Sequence, residues 1–220
     1  MRKLLYLFLC TFSPILYGQS FTKLSIKIGP NISGQIKTPP EFIDGGLKGG
    51  FSATIEPTIF TFGSKKQFDF NTDFSFLQKG GHINSQIVAY DQYGQIVGIG
   101  SEGYDVTINY LSVSPTFKAN FWNILFIKVG PRLDVFTNYS SQSRYSAYPN
   151  SKSDFNTLTY GITYGAGICM GKNKVKFILE LVGQNDFSNS SYNKASGQTY
   201  KNYSYIINFG VSISLKKKDQ

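Results

Sequence analysis

The residues able to do chemistry are few. His82 is the single histidine. With Ser85 and acids such as Asp91 close by, it could belong to a Ser–His–acid set near the rim of a small barrel. A triad is recognised by geometry and not by proximity in sequence, so the plainer reading of His82 is a solvated loop residue. There are two cysteines. Cys10 lies in an apolar leader and leaves with it, and a lipid anchor there is disfavoured by bulky Leu9 in the preceding position. Cys169 then stands alone, which excludes an intramolecular disulfide. No His/Cys/carboxylate spacing suggests a structural metal site. The glycines from Gly94 to Gly103 follow no strand–helix unit, so they do not form a phosphate loop. No cofactor is expected.

A second set of reactive groups is spread through the chain: Lys27, Glu56, Asp69, Asp73, Lys118, Lys128, Arg132, Asp134, Lys176 and Glu180. Each lies opposite apolar residues in a segment with period-two alternation. Eight such segments follow one another. The C-terminal one sets Tyr203, Tyr205, Ile207, Phe209, Val211, Ile213 and Leu215 against Ser204, Ile206, Asn208, Gly210, Ser212 and Ser214. It exceeds the five or six residues typical of a soluble strand and matches the roughly 9–11 of a transmembrane one. The others are Lys23 to Ile32, Phe51 to Phe60, Gln67 to Leu77, Tyr104 to Ala119, Leu125 to Val135, Leu158 to Met170, and a segment beginning at Val175. In the fourth, the alternation slips near Tyr110 and Leu111, which predicts a bulge.

The connections alternate long and short. Gly34 to Gly50, Gln78 to Gly103, Phe136 to Asn156 and Gln184 to Asn202 are long; Thr61 to Lys66, Asn120 to Asn123 and Gly171 to Lys174 are short. In an up-and-down meander this places every long loop at one end, as in outer-membrane barrels. The fold expected is all-β: an eight-stranded antiparallel up-and-down transmembrane β-barrel.

Volume decides which face points inward. Eight strands enclose room for little more than small and medium side chains. The many Phe, Tyr, Ile and Leu residues therefore face lipid. The inward face is left with glycines, serines, threonines and the ten charges, five basic and five acidic. These are expected to pair across the lumen and plug it, because an isolated buried ion is costly. Pro30, Pro57, Pro115 and Pro131 lie within strand patterns on the outer face, where they would mark bulges or strand ends. Ile26-Lys27-Ile28-Gly29-Pro30 echoes Ile127-Lys128-Val129-Gly130-Pro131, a likeness that shared strand chemistry explains.

Residues 1–18 read as a signal peptide: Arg2 and Lys3, an apolar run to Tyr17, and Gly18 before the cut. Residues 19–220 form the barrel, with a short basic tail at Lys216 to Lys218. The net charge of +9 falls to +4 without those five basic residues (9 − 5 = 4), and no basic run is interleaved with aromatics. Nucleic acid is therefore not an expected partner.

A Gly-Pro pair in the first strand, Tyr110-Leu111-Ser112-Val113-Ser114-Pro115 in the fourth, and the aromatic last strand ending Ile213-Ser214-Leu215 resemble the PorT-like outer-membrane β-barrel family of Bacteroidetes. The resemblance implies an eight-stranded barrel in the outer membrane of a Gram-negative bacterium. It brings no catalytic residues, and some members are linked to a secretion and gliding apparatus. The expected role is structural or interactive and non-enzymatic, with four long external loops. The expected partners are outer-membrane lipid and other envelope or secretion proteins. The alternatives are a subunit of a secretion or gliding apparatus and an outer-membrane lipid-modifying enzyme.

Overall fold

The computed structural model describes residues 21–38, 46–63, 67–122, 124–142, 155–171, 174–193 and 198–215. The leader with Cys10 and the tail at Lys216 to Lys218 lie outside the described residues.

Among the described residues nine strands form one antiparallel sheet: β1 (Lys23–Thr38), β2 (Lys48–Phe62), β3 (Phe68–Tyr90), β4 (Ile96–Phe121), β5 (Leu125–Gln142), β6 (Leu158–Met170), β7 (Val175–Asp186), β8 (Ser191–Asn193) and β9 (Gln198–Ser214). Each strand pairs with the next, except that β8 is a three-residue addition to β9 and β7 pairs directly with β9. Strand β1 also pairs with β9, from Lys23↔Ser214 to Thr38↔Thr199. The sheet thus closes into an eight-stranded barrel with no open edge in its wall. Closure is what a spanning sheet requires, since hydrocarbon offers no partner to an unpaired peptide group.

The pleat sorts the side chains as volume demands. Ser25 and Lys27 are buried in the lumen while Ile26 and Ile28 are exposed, and Lys128, Arg132 and Asp134 alternate with exposed Ile127, Val129 and Val135. At the short-turn end the outward rings form a belt. Phe60 stacks on Phe70 with centroids 5.1 Å apart, and Phe68 lies 5.5 Å from Phe62 and 5.4 Å from Phe117. Such girdles mark the membrane interface.

One expectation changes and another is refined. The connection between the third and fourth segments is not a long loop. Strands β3 and β4 pair continuously from Phe68↔Ala119 to Ala89↔Gly98, and residues 91–95 make a tight turn. The irregularity expected near Tyr110 is at that place, but its extra residue is on the partner strand. In β4, Ile108, Tyr110, Ser112, Ser114 and Thr116 are all buried, so the inward alternation is unbroken. Tyr110 mimics a slip because the inward face changes there from polar to apolar. The register shift lies opposite, in β5, where Asn109↔Asn138 is followed by Tyr110↔Phe136.

The prolines find a physical account. Proline has no N–H to give a ladder. Between β4 and β5 the pairing runs to Val113↔Leu133 and resumes at Phe117↔Val129, a gap that contains both Pro115 and Pro131. Between β1 and β9 it stops at Ile28↔Phe209 and resumes at Asn31↔Ile206, bracketing Pro30. Pro57 falls in a gap between Ile55↔Phe74 and Thr58↔Asn71, next to a register shift. Each proline keeps a pairing with its other neighbour: Pro30↔Phe51, Leu24↔Pro57, Thr72↔Pro115 and Pro131↔Ile162.

The glycines beside two of these gaps allow a close approach. A Cβ on Gly29 would lie 1.8 Å from the Ile207 carbonyl oxygen, and one on Gly130 would lie 2.0 Å from that of Pro115. Gly130→Val should therefore destabilise the barrel by about 1–3 kcal/mol or prevent closure. Gly98→Ala, where an added Cβ meets nothing within 4 Å, should leave it intact. Heat-modifiable mobility on gels, with urea unfolding of any folded fraction, reads both outcomes.

The lumen network and the rim

The inward strand faces bring most of the predicted charges into two clusters and one rim pair. In the first cluster Lys27, 1% exposed, bonds to Glu56 and, at 2.9 Å, to Glu180. Lys128 enters from β5, with its Nζ 2.7 Å from Asp73, 2.7 Å from Glu180 and 3.7 Å from Glu56. Lys118 reaches Glu56 at 3.5 Å and stands over the ring of Phe126, 3.8 Å from its centroid. Amides add to the shell. Asn71 Nδ2 donates to Glu56 at 3.2 Å, and Asn208 Nδ2 donates to Glu180 at 3.3 Å.

The second cluster holds Arg132 and Lys79 against Asp134 and Asp186. Arg132 donates to Asp186 and, at 3.1 Å, to Asp134; its remaining nitrogen reaches the Ile162 carbonyl at 3.4 Å. Lys79 donates to Asp134 at 2.6 Å and to Asp186 at 3.4 Å. At the short-turn rim Asp69 accepts from Lys23 at 2.8 Å, from Thr61 at 2.6 Å and from Asn120 at 2.9 Å.

Nine of the ten predicted charges thus lie in ion pairs. Lys176 does not: it is half-buried beside the β6–β7 turn and joins none of these contacts, being the first inward residue of β7 and close to water. Lys23, Lys79 and Asp186 were not anticipated. Lys79 and Asp186 sit just past the predicted ends of their segments, where the outward face loses its apolar residues while the strand continues. Extending the inward parity of β3 and β7 by one or two steps would have found both.

Above the charges an apolar cluster of Leu77, Val106, Ile108, Tyr110, Phe155, Val182 and Ile206 fills the lumen toward the long connections. Phe155, from the β5–β6 connection, stacks on Phe136 at 5.3 Å and meets Tyr139 at 4.8 Å. Tyr110 joins the two layers: its hydroxyl accepts from Asn202 at 3.2 Å, and Lys79 lies 5.2 Å from its ring centroid.

His82 lies at the rim opposite the short turns and its partner is not Asp91. His82 Nδ1 is 2.8 Å from Asp105, which also faces Lys48 at 3.5 Å. The hydrogen bond from His82, and then the Lys48 charge, outweigh slight desolvation and hold the Asp105 carboxyl below its ordinary value of 3.8. The backbone of His82 exchanges hydrogen bonds with Gly46, at 2.6 and 2.9 Å, tying the start of β2 to β3. Asp91 is occupied in the tight turn, where its Oδ1 accepts from the amides of Tyr93 and Gln95. Ser85 pairs in register with Glu102, farther along the β3–β4 ribbon. The sequence neighbours His82, Ser85 and Asp91 therefore do not form one site around Asp91. Cys169 is half-buried on the inward face of β6. Among the described residues no group of three His, Cys, Asp or Glu side chains could hold a metal ion.

A closed wall of eight antiparallel strands, apolar outside and charged within, defines a small transmembrane barrel of the Gram-negative outer membrane. The sequence matches the family model of the outer membrane protein beta-barrel domain over residues 17–184, and the chain belongs to that family. Solved structures are similar to the chain at low identity. Ail of Yersinia pestis is 12% identical, with 88% of this chain and 100% of that one covered and a TM-score of 0.41. Neisserial surface protein A is 10% identical, with coverages of 87% and 97% and a TM-score of 0.46. OprG of Pseudomonas aeruginosa is 10% identical, with coverages of 90% and 98% and a TM-score of 0.41. No curated protein matches the sequence. The narrower resemblance to PorT-like barrels of Bacteroidetes is not shown by these matches.

The network makes a stability prediction. Arg132 is 2% exposed and its removal leaves Asp134 and Asp186 short of positive charge. Arg132→Ala should cost about 3–5 kcal/mol, as loss of one member of a buried ion pair does. Lys176→Ala should be near neutral. Urea unfolding in lipid vesicles, followed by the gel mobility of the folded form, measures both.

Proposed function

We propose that this protein is a non-catalytic structural or interaction protein of the outer membrane, with a sealed lumen and its long connections turned outward from the cell. The observation that carries the reading is the filling of the bore. Two ion-pair clusters and an apolar layer occupy a lumen that eight strands leave barely wide enough for side chains. A solute path would have to strip Lys27, Lys128 or Arg132 of their carboxylates, and buried charges resist that. With the lumen closed, contact with other molecules falls to the external rim and the lipid-facing wall. The β3–β4 ribbon and the connections on the same side are the surfaces available to other envelope proteins, including a secretion apparatus.

Purified wild-type protein in planar bilayers should show no steady conductance; a stable, porin-like current would overturn the sealed lumen. The lipid-modifying alternative has its own measure. His82→Ala should leave the lipid A profile of the cell unchanged, because His82 ties strands together at the rim through Asp105 and Gly46. A changed profile from that one substitution would favour the enzyme.

A further inference from the structure

The outer wall is not uniformly covered by large side chains. Successive registers place Ile127 of β5 beside Ala166 of β6, and Ala166 beside Leu181 of β7. A single methyl group thus stands between two branched side chains that are both exposed. The next row toward the short turns, Leu125–Ile168–Leu179, is large across its whole width. The result is a notch of about 420 Å³ floored by Ala166 and Gly167, with Trp122 at its open end. That volume lies within the roughly 300–1,000 Å³ of small-molecule sites.

A second, independent observation concerns Trp122. It is the only described non-glycine residue with positive φ, at 49°. A bulky residue in that region is uncommon and its cause is worth seeking. The β4–β5 turn, closed by the Ile124 amide on the Phe121 carbonyl at 3.1 Å, holds Trp122 with its side chain 82% exposed. An indole at this level is the usual amphipathic marker of the membrane interface. The neighbouring β6–β7 turn, whose strand is tied to this one by the Cys169 amide on the Ile124 carbonyl at 2.7 Å, carries exposed Lys174 on the same rim. The notch therefore has an apolar floor and an interfacial ring, with a cation on the same rim of the barrel.

We propose that this notch is a binding site for one glycerophospholipid of the periplasmic leaflet. An acyl chain lies over Ala166 between Ile127 and Leu181, the glycerol region sits beside Trp122, and the phosphate is at the level of Lys174. The proposal rests on the orientation argued above, in which the short turns face the periplasm. It distinguishes one retained lipid from the exchanging lipids around the rest of the wall.

Trp122 is the only tryptophan in the protein, so its emission reports on this place alone. The full-length mature protein would be reconstituted in bilayers doped with a small fraction of phosphatidylethanolamine brominated on its acyl chain. Quenching of wild-type Trp122 should correspond to about tenfold enrichment over the bulk fraction, equivalent to about 1.4 kcal/mol. Ala166→Leu, which fills the floor, and Leu181→Ala, which removes a wall, should each return quenching to the bulk fraction. Both change lipid-facing residues, and heat-modifiable mobility checks that both are folded. Wild-type quenching that follows the bulk fraction would overturn the site while leaving the barrel in its membrane. Enrichment that survives both substitutions, or that brominated lipid A gives and the phospholipid does not, would also overturn it. An absence of quenching would overturn it differently, by showing that the β4–β5 turn lies away from the bilayer.

Discussion

Neutralising charge inside a narrow bore is the constraint on which this barrel depends. Lys27 and Lys128 share Glu56 and Glu180, so the acids of β2 and β7 are bridged by the bases of β1 and β5. No member can be taken away without leaving another in low dielectric. Hydrophobic burial, the usual source of cohesion, has a smaller part here. The outer wall faces lipid, and only the layer around Tyr110 and Leu77 resembles a soluble core. The ion pairs therefore also set strand positions, because a slip by one residue would move a lysine from the lumen to the lipid.

The repeated Ile-Lys-Ile/Val-Gly-Pro segments acquire a structural meaning in this setting. On β1 and β5, half the barrel apart, the lysine feeds the central cluster, the glycine admits a neighbour's carbonyl, and the proline falls in a ladder gap. One five-residue device thus appears twice in equivalent surroundings. Shared strand chemistry is sufficient to account for it: the inward parity carries the lysine into the bore, and the glycine two positions on lets the adjacent strand's carbonyl approach beside the proline gap.

Much of this was legible in the sequence because a membrane wall writes a strict code. Outward residues must be apolar and inward ones must be small or paired, so alternation from Leu158 to Met170 fixes β6 to the residue. The code lapses where the wall leaves the hydrocarbon. There the outward face of β3 turns polar although pairing persists, and the strand runs to Tyr90 where alternation stops near Leu77. The same lapse hid Lys79 and Asp186. Tyr110 misled for the opposite reason, since a large aromatic residue in the lumen looks like an outward one. The His82–Asp105 pair could not be read from spacing, because cross-strand register brings together residues far apart in the chain.

Closure by the first and last strands has a consequence for how the molecule comes into being. Lys23 pairs with Ser214, and Ile28 with Phe209, so the seam joins residues separated by nearly the whole described chain. Contacts of such long sequence separation are the slowest to form, because the loop they close must be ordered before it is rewarded. Until β9 arrives, β1 has an unpaired edge and Lys27 lacks the acid of β7. A chain short of β9 leaves the β1 edge without its ladder partner, and such an edge is a template for pairing with another chain.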